Sequence, residues 1–124
     1  MVGNLLAVAS GGALGAMLRY GVGLSLAGRS GFPWATLAIN VSGSLLFGFF
    51  ALWLSERLPM ANEVRAFVLV GVLGAFTTFS TFSWETLALL QQGEMTRAAV
   101  NVLTNVLLCI VAAAAGIWLA RQFL

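Results

Sequence analysis

The sequence has no histidine, no lysine and no aspartate, and its single cysteine is Cys109. One cysteine excludes an internal disulfide. A His/Cys metal site and a Ser-His-Asp triad both lack their parts. No nucleophile–base pair can be assembled from what remains, so the chain is not read as an enzyme. Positive charge is thin as well. Six arginines lie scattered one or two at a time, for a net charge of +2. A nucleic-acid binder clusters its positive charge on one face, so no nucleic acid is expected as a partner.

Charge of either sign makes up only 8% of the 124 residues, whereas 60% are hydrophobic. A soluble domain is about 25% charged and about 45–50% apolar. A small soluble domain exposes much of its surface and needs charge to cover it. A soluble globular fold and intrinsic disorder are therefore both excluded. The expected class is an all-α membrane protein set in a lipid bilayer.

The ten charges mark out the spans. They are Arg19, Arg29, Glu56, Arg57, Glu63, Arg65, Glu85, Glu94, Arg97 and Arg121. Residues 1–18, 30–55, 66–84 and 98–120 carry none. A spanning helix needs roughly 20 predominantly apolar residues. The pattern predicts four spans, about 4–26, 34–55, 63–91 and 96–121, in one transmembrane domain over 1–124. No basic stretch precedes the first apolar run, so it is read as a retained span. Pro33 and Pro59 fall in connectors too short for a soluble domain.

With four spans, Arg57, Arg65 and Arg121 share one side, and Arg19, Arg29 and Arg97 the other. Orientation normally follows a Lys/Arg excess on the cytoplasmic side. Equal numbers give no preference. Either other factors set the orientation, or the chain inserts both ways and pairs with an inverted copy of itself. The second reading places inverted repeats about an axis in the membrane plane, as transporters do.

Polar residues within the spans need partners or water. Thr36, Asn40, Ser44 and Gly48 recur at four-residue steps and share a helix face. Asn101, Asn105 and Cys109 form a second stripe, with Thr104 beside it. Both stripes fit interhelical hydrogen bonding, and both fit a polar pathway. Gly11 and Gly15 form a small-residue packing motif. Arg19 is costly at depth, so it belongs near an interface or facing water or an acid.

The third span carries the strongest local signal, Gly71-Val-Leu-Gly74-Ala-Phe-Thr77-Thr78-Phe79-Ser80-Thr81-Phe82-Ser83. Threonine hydroxyls compete for backbone carbonyls, and such clusters at depth suggest a broken third helix. Freed carbonyls bind cations, and freed N–H groups bind anions. Phe79 and Phe82 share a face, and the positive edges of their rings suit a small anion.

These motifs, with Gly11-Gly12-Ala-Leu-Gly15-Ala-Met-Leu-Arg19-Tyr and Ala-Thr36-Leu-Ala-Ile-Asn40-Val-Ser-Gly43, give the resemblance. The whole chain resembles the Fluc/CrcB family of bacterial fluoride channels. The resemblance implies an antiparallel, dual-topology homodimer of four-helix subunits with two pores. It implies a multi-pass protein of the bacterial inner membrane that exports fluoride to relieve its toxicity. Phe79 and Phe82 match the phenylalanines of the fluoride path, Asn40 the pore asparagine, and Ser80 and Thr81 its hydroxyls. Thr36 and Asn105 are placed on the same path, and Arg19 matches the vestibule arginine. Gly74 and Thr77 match positions whose carbonyls, from both subunits, hold a structural sodium ion. Glu85 matches an acid usual in the family. Cys109 and Ala113 fall where relatives commonly carry hydroxyls, so the span-four track is only partly kept.

Fluoride is small and strongly hydrated. A pore must replace that hydration with oriented amides, hydroxyls and ring edges. Passive flow suffices, because a negative-inside potential expels an anion with about 2.3 kcal/mol per charge per 100 mV. The competing reading is a small dual-topology multidrug or cation exporter. Such an exporter needs a membrane-embedded acid, usually in its first span, and here that span holds only Arg19.

Overall fold

The computed structural model describes residues 1–28 and 31–124; Arg29, counted above on one side, lies outside them. Helix α1 is Val2–Ser25 and α2 is Trp34–Arg57. The third span begins as α3 (Asn62–Arg65), continues as a π-helical stretch (Ala66–Leu73) and then as α4 (Gly74–Phe76). Helix α5 is Phe79–Gln91 and α6 is Met95–Gln122. No strand occurs among the described residues. Four helical stretches are long and apolar enough to cross a membrane: Val2–Ser25, Trp34–Arg57, Asn62–Gln91 and Met95–Gln122. Their ends differ from the charge-delimited spans by a residue or two, within the ordinary uncertainty of helix ends.

The helices turn where their residues require it. Pro33 precedes α2 at a position where its missing N–H costs nothing. Gly28 and Gly93 take positive φ values of 76° and 77°, which glycine adopts without strain. At one end of the bundle, Arg57 Nη2 donates to the Phe123 carbonyl at 2.8 Å and so ties α2 to the end of α6.

Small residues set the packing. A Cβ on Gly15 would overlap the Val72 carbonyl oxygen, and one on Gly11 the Phe67 carbonyl oxygen. Gly71 faces Gly11 in return, where an added Cβ would sit 2.9 Å from the Gly11 Cα. α1 thus lies backbone to backbone on the π-helical stretch, as the Gly11/Gly15 spacing implies. In that stretch the ladder reaches five residues back, and the Gly74 N–H bonds to the Leu69 carbonyl. Helices α2 and α6 meet the same way. A Cβ on Gly48 would overlap the Ala113 carbonyl, and one on Gly116 the Leu45 carbonyl. Only 11% to 28% of the 18-residue apolar stretch in each span is buried within one chain, so many of the apolar side chains face outward.

Candidate functional site

Helical geometry stops after Phe76 and resumes at Phe79. Thr77 (φ −77°, ψ 156°) and Thr78 (φ −150°, ψ 110°) are extended. The local cause is hydroxyl chemistry. Thr78 Oγ1 caps α5 by accepting the Thr81 N–H at 3.2 Å. Thr77 turns both its hydroxyl and its N–H back to the Leu73 carbonyl, at 3.0 and 3.1 Å. Asn40 on α2 closes the gap. Its Oδ1 accepts the Thr78 N–H at 2.8 Å, and its Nδ2 donates to the Thr78 carbonyl at 3.1 Å. One side-chain amide thus satisfies both backbone groups of an extended residue.

These bonds leave two carbonyls without their helical donors. In an unbroken α-helix the N–H groups of Thr78 and Thr81 would bond to the carbonyls of Gly74 and Thr77. Here they go to Asn40 Oδ1 and Thr78 Oγ1 instead. Arg19 Nε takes the intervening Ala75 carbonyl at 3.0 Å. Gly74 is exposed and Thr77 half-buried. Carbonyl oxygens are hard ligands that suit a hard cation. The residue pair expected to hold sodium therefore fits such an ion.

The other candidates divide between two cavities that meet at Thr78. The first, about 360 Å³, is walled by Asn40, Thr77, Thr78, Phe79, Phe82 and Asn105, with Ser44 and Cys109 further along. Among the described residues, no charged side chain lines it. The two rings lie 5.4 Å apart, inclined at 55°. Phe82 is 7% exposed and Phe79 77%. The second cavity, about 540 Å³, holds Arg19, Thr36, Thr81 and Glu85. Thr36 donates to Glu85 Oε1 at 2.6 Å, while Glu85 Oε2 is buried with no partner among the described residues. The same Thr36–Glu85 pair lines a third cavity beside Phe32 and Trp34. Ser80 lines none of the three and lies 3.4 Å from the Thr78 hydroxyl.

Two residues gain roles that spacing alone did not reveal. Arg19 reaches a backbone carbonyl at the interruption as well as facing a cavity. Thr86 donates to the Phe82 carbonyl and accepts from Asn101. The signal for Thr86 was its position one turn after Phe82. Thr104 turns to its own helix, donating to the Val100 carbonyl at 2.7 Å, and so leaves the stripe.

Residues 6–117 match the family model described as CrcB-like protein, Camphor Resistance (CrcB). The chain belongs to the CrcB family. As a CrcB family member it is a multi-pass membrane protein, in keeping with its four membrane-length helices. It is similar to proteins named fluoride-specific ion channel FluC. The Geobacter sulfurreducens protein is 48% identical over 122 residues, which are 96% of this chain and 98% of that protein. The Nitrobacter winogradskyi protein is 47% identical over 119 residues, 94% of each. The Methylococcus capsulatus protein is 53% identical over 121 residues, 96% of this chain. The chain spans about half the length of that third relative, 53%.

Proposed function

We propose that the chain is one subunit of a fluoride-specific ion channel, a passive exporter in the bacterial inner membrane and not an enzyme. The observation that carries the reading is the match along almost the full length of a relative of that name. The geometry supplies a path of the right chemistry. The first cavity offers ring edges, hydroxyls and amides without a formal charge. Such a wall replaces the hydration of a small anion without trapping it. Arg19 is the positive side chain of the second cavity, set against the Glu85 carboxylate that lines the same space.

The working unit is an antiparallel homodimer with two pores. Three features support it. The arginines divide evenly between the two sides. Phe79 is 77% exposed although it lines the path. Gly74, with its freed carbonyl, faces out of the subunit. In the dimer, the Gly74 and Thr77 carbonyls of both copies hold a structural sodium ion, and the Thr77–Thr78 interruption of the third helix supplies them. When bound, that ion adds fixed positive charge near both pores. Thr77 and Thr78 hold the freed carbonyls in place, and Asn40 fixes Thr78.

The test is fluoride efflux from liposomes that contain the purified protein. Selective efflux is expected; equal efflux of chloride and fluoride would overturn the selectivity. Phe79→Ile and Phe82→Ile each reduce flux strongly if the rings line the path, and unchanged flux returns them to packing. Cross-links that trap only parallel dimers would refute the inverted assembly. Exchange of sodium for a bulky organic cation should weaken the dimer on a sizing column; an unchanged profile removes the ion from the interface.

A further inference from the structure

Five hydrogen bonds run in one sense from the interruption back to α5. The Thr78 N–H donates to Asn40 Oδ1 at 2.8 Å, and Asn40 Nδ2 donates to Asn105 Oδ1 at 3.2 Å. Asn105 Nδ2 donates to Asn101 Oδ1 at 2.9 Å, and Asn101 Nδ2 donates to Thr86 Oγ1 at 3.0 Å. Thr86 Oγ1 donates to the Phe82 carbonyl at 2.8 Å. The relay leaves the third span at Thr78, passes through α2 and α6, and returns to the third span at Phe82. It is a closed loop around the first turn of α5.

We propose that Asn101 and Thr86 are positioning residues for the Phe82 ring, acting through this relay and not as donors to a passing ion. Asn101 is 0% exposed and lines none of the three cavities, so it has no access to the path. Asn105 is 5% exposed and gives its other donor contact to the Asn101 carbonyl at 3.0 Å. Asn40 gives its other donor contact to Thr78. A primary amide has two donor hydrogens and one acceptor oxygen. Turning any one amide over would set donor against donor at a neighbour, and the Thr78 N–H fixes the sense of the first link. The loop therefore has a single sense, and it locks the rotation and register of α5 against α2 and α6. Buried polar groups left without partners in such a network are costly, more so where no water can reach. Phe82, 7% exposed and next to the last link, is held where it meets the cavity. Its effect on ion flow rests on the fluoride-channel reading; its effect on the ring does not.

The test places 4-fluorophenylalanine at position 82 of the full chain in lipid nanodiscs and reads its fluorine NMR line. Thr86→Val removes the last hydroxyl with little change of shape, Thr86→Ser keeps it, and Asn101→Ala cuts the loop one link earlier. T86V and N101A should both shift or split the line. The double variant should match either single one, because each opens the same loop. T86S should keep the wild-type line. Fluoride efflux should fall between about tenfold and a hundredfold in T86V and N101A, the upper figure being the scale of a misplacement of about 1 Å in a working group, and return in T86S. If T86V does not fold, N101A carries the comparison. An unmoved line in N101A overturns the relay, since a shift in T86V alone is a local effect. A shifted line with wild-type efflux overturns the role in flow. Wild-type protein that passes no fluoride would sink the channel reading, and the line alone would then judge the relay.

Discussion

Before Thr77 the third span rests on α1 through backbone, where Gly11, Gly15 and Gly71 leave no room for a side chain. After Thr78 it is tied to α2 and α6 through amides and hydroxyls, from Asn40 to Thr86. At its seam with α1 the first half has no room for an added atom, whereas the second half depends on polar groups that a deletion would leave unpaired. Close contact between glycines fixes a distance but says nothing about direction. Hydrogen bonds fix direction and leave polar groups beside the cavity. The candidate site lies at the change from one mode to the other, where two extended residues detach carbonyls from the helix ladder.

The comparison breaks most visibly at Gly15. Gly15→Val puts a branched side chain into the Val72 carbonyl, and overpacking of this kind costs about 1–3 kcal/mol or more. Loss of the folded peak on a sizing column is expected, and a normal peak would mean that the seam has slack. Asn105→Ala attacks the other half and removes partners from Asn40 and Asn101 together. At about 1–3 kcal/mol for each of the two buried groups left unpaired, thermal unfolding in detergent should show a loss of about 2–6 kcal/mol. A loss below about 0.5 kcal/mol, typical of a surface change, would demote the polar seam to decoration. Arg19→Met takes the donor from the Ala75 carbonyl at the junction of the halves. A hydrogen bond from a charged group contributes about 1.5–3 kcal/mol, so an intermediate loss is expected. Full recovery in Arg19→Lys would show that any cationic donor serves the Ala75 carbonyl and that the planar guanidinium is not required. Gly12→Ala is the smallest change. No atom lies within 4 Å of the added Cβ, and the helix gains up to about 1 kcal/mol. Destabilisation there would show that the tight seam is wider than Gly11 and Gly15.

Much of this was legible in the sequence, for physical reasons. Charge is costly in a bilayer, so most of the charged residues fall near the span ends, and the two that lie well inside, Arg19 and Glu85, line the second cavity. Small-residue spacing marked Gly11 and Gly15, because close approach requires missing side chains. The Thr-rich run after Gly74 contains the two extended residues. The partners across space were not legible. Asn40 meets Thr78, 38 positions away, and Arg19 meets Ala75, 56 positions away. Nothing in a helical stripe says which backbone it will face. The π-helical stretch Ala66–Leu73 reads as plain apolar sequence, with no residue to announce a wider ladder. Nor does spacing show that Thr36 and Thr81 lie with Arg19, in a different cavity from the two rings.

The paired contacts of Gly48 with Ala113 and Gly116 with Leu45 have a mechanical consequence. Two helices touching along their main chains at two points have no clearance to slide or roll. α2 and α6 therefore behave as one stiff plank. The ring-bearing α5 is suspended from that plank by Asn40, bonded to its N-cap Thr78, and by Asn101, bonded to Thr86. One side of the first cavity is thus a fixed wall and the other a hung panel. Any widening of the first cavity has to stretch those hydrogen bonds, because the glycine contacts between α2 and α6 have no slack.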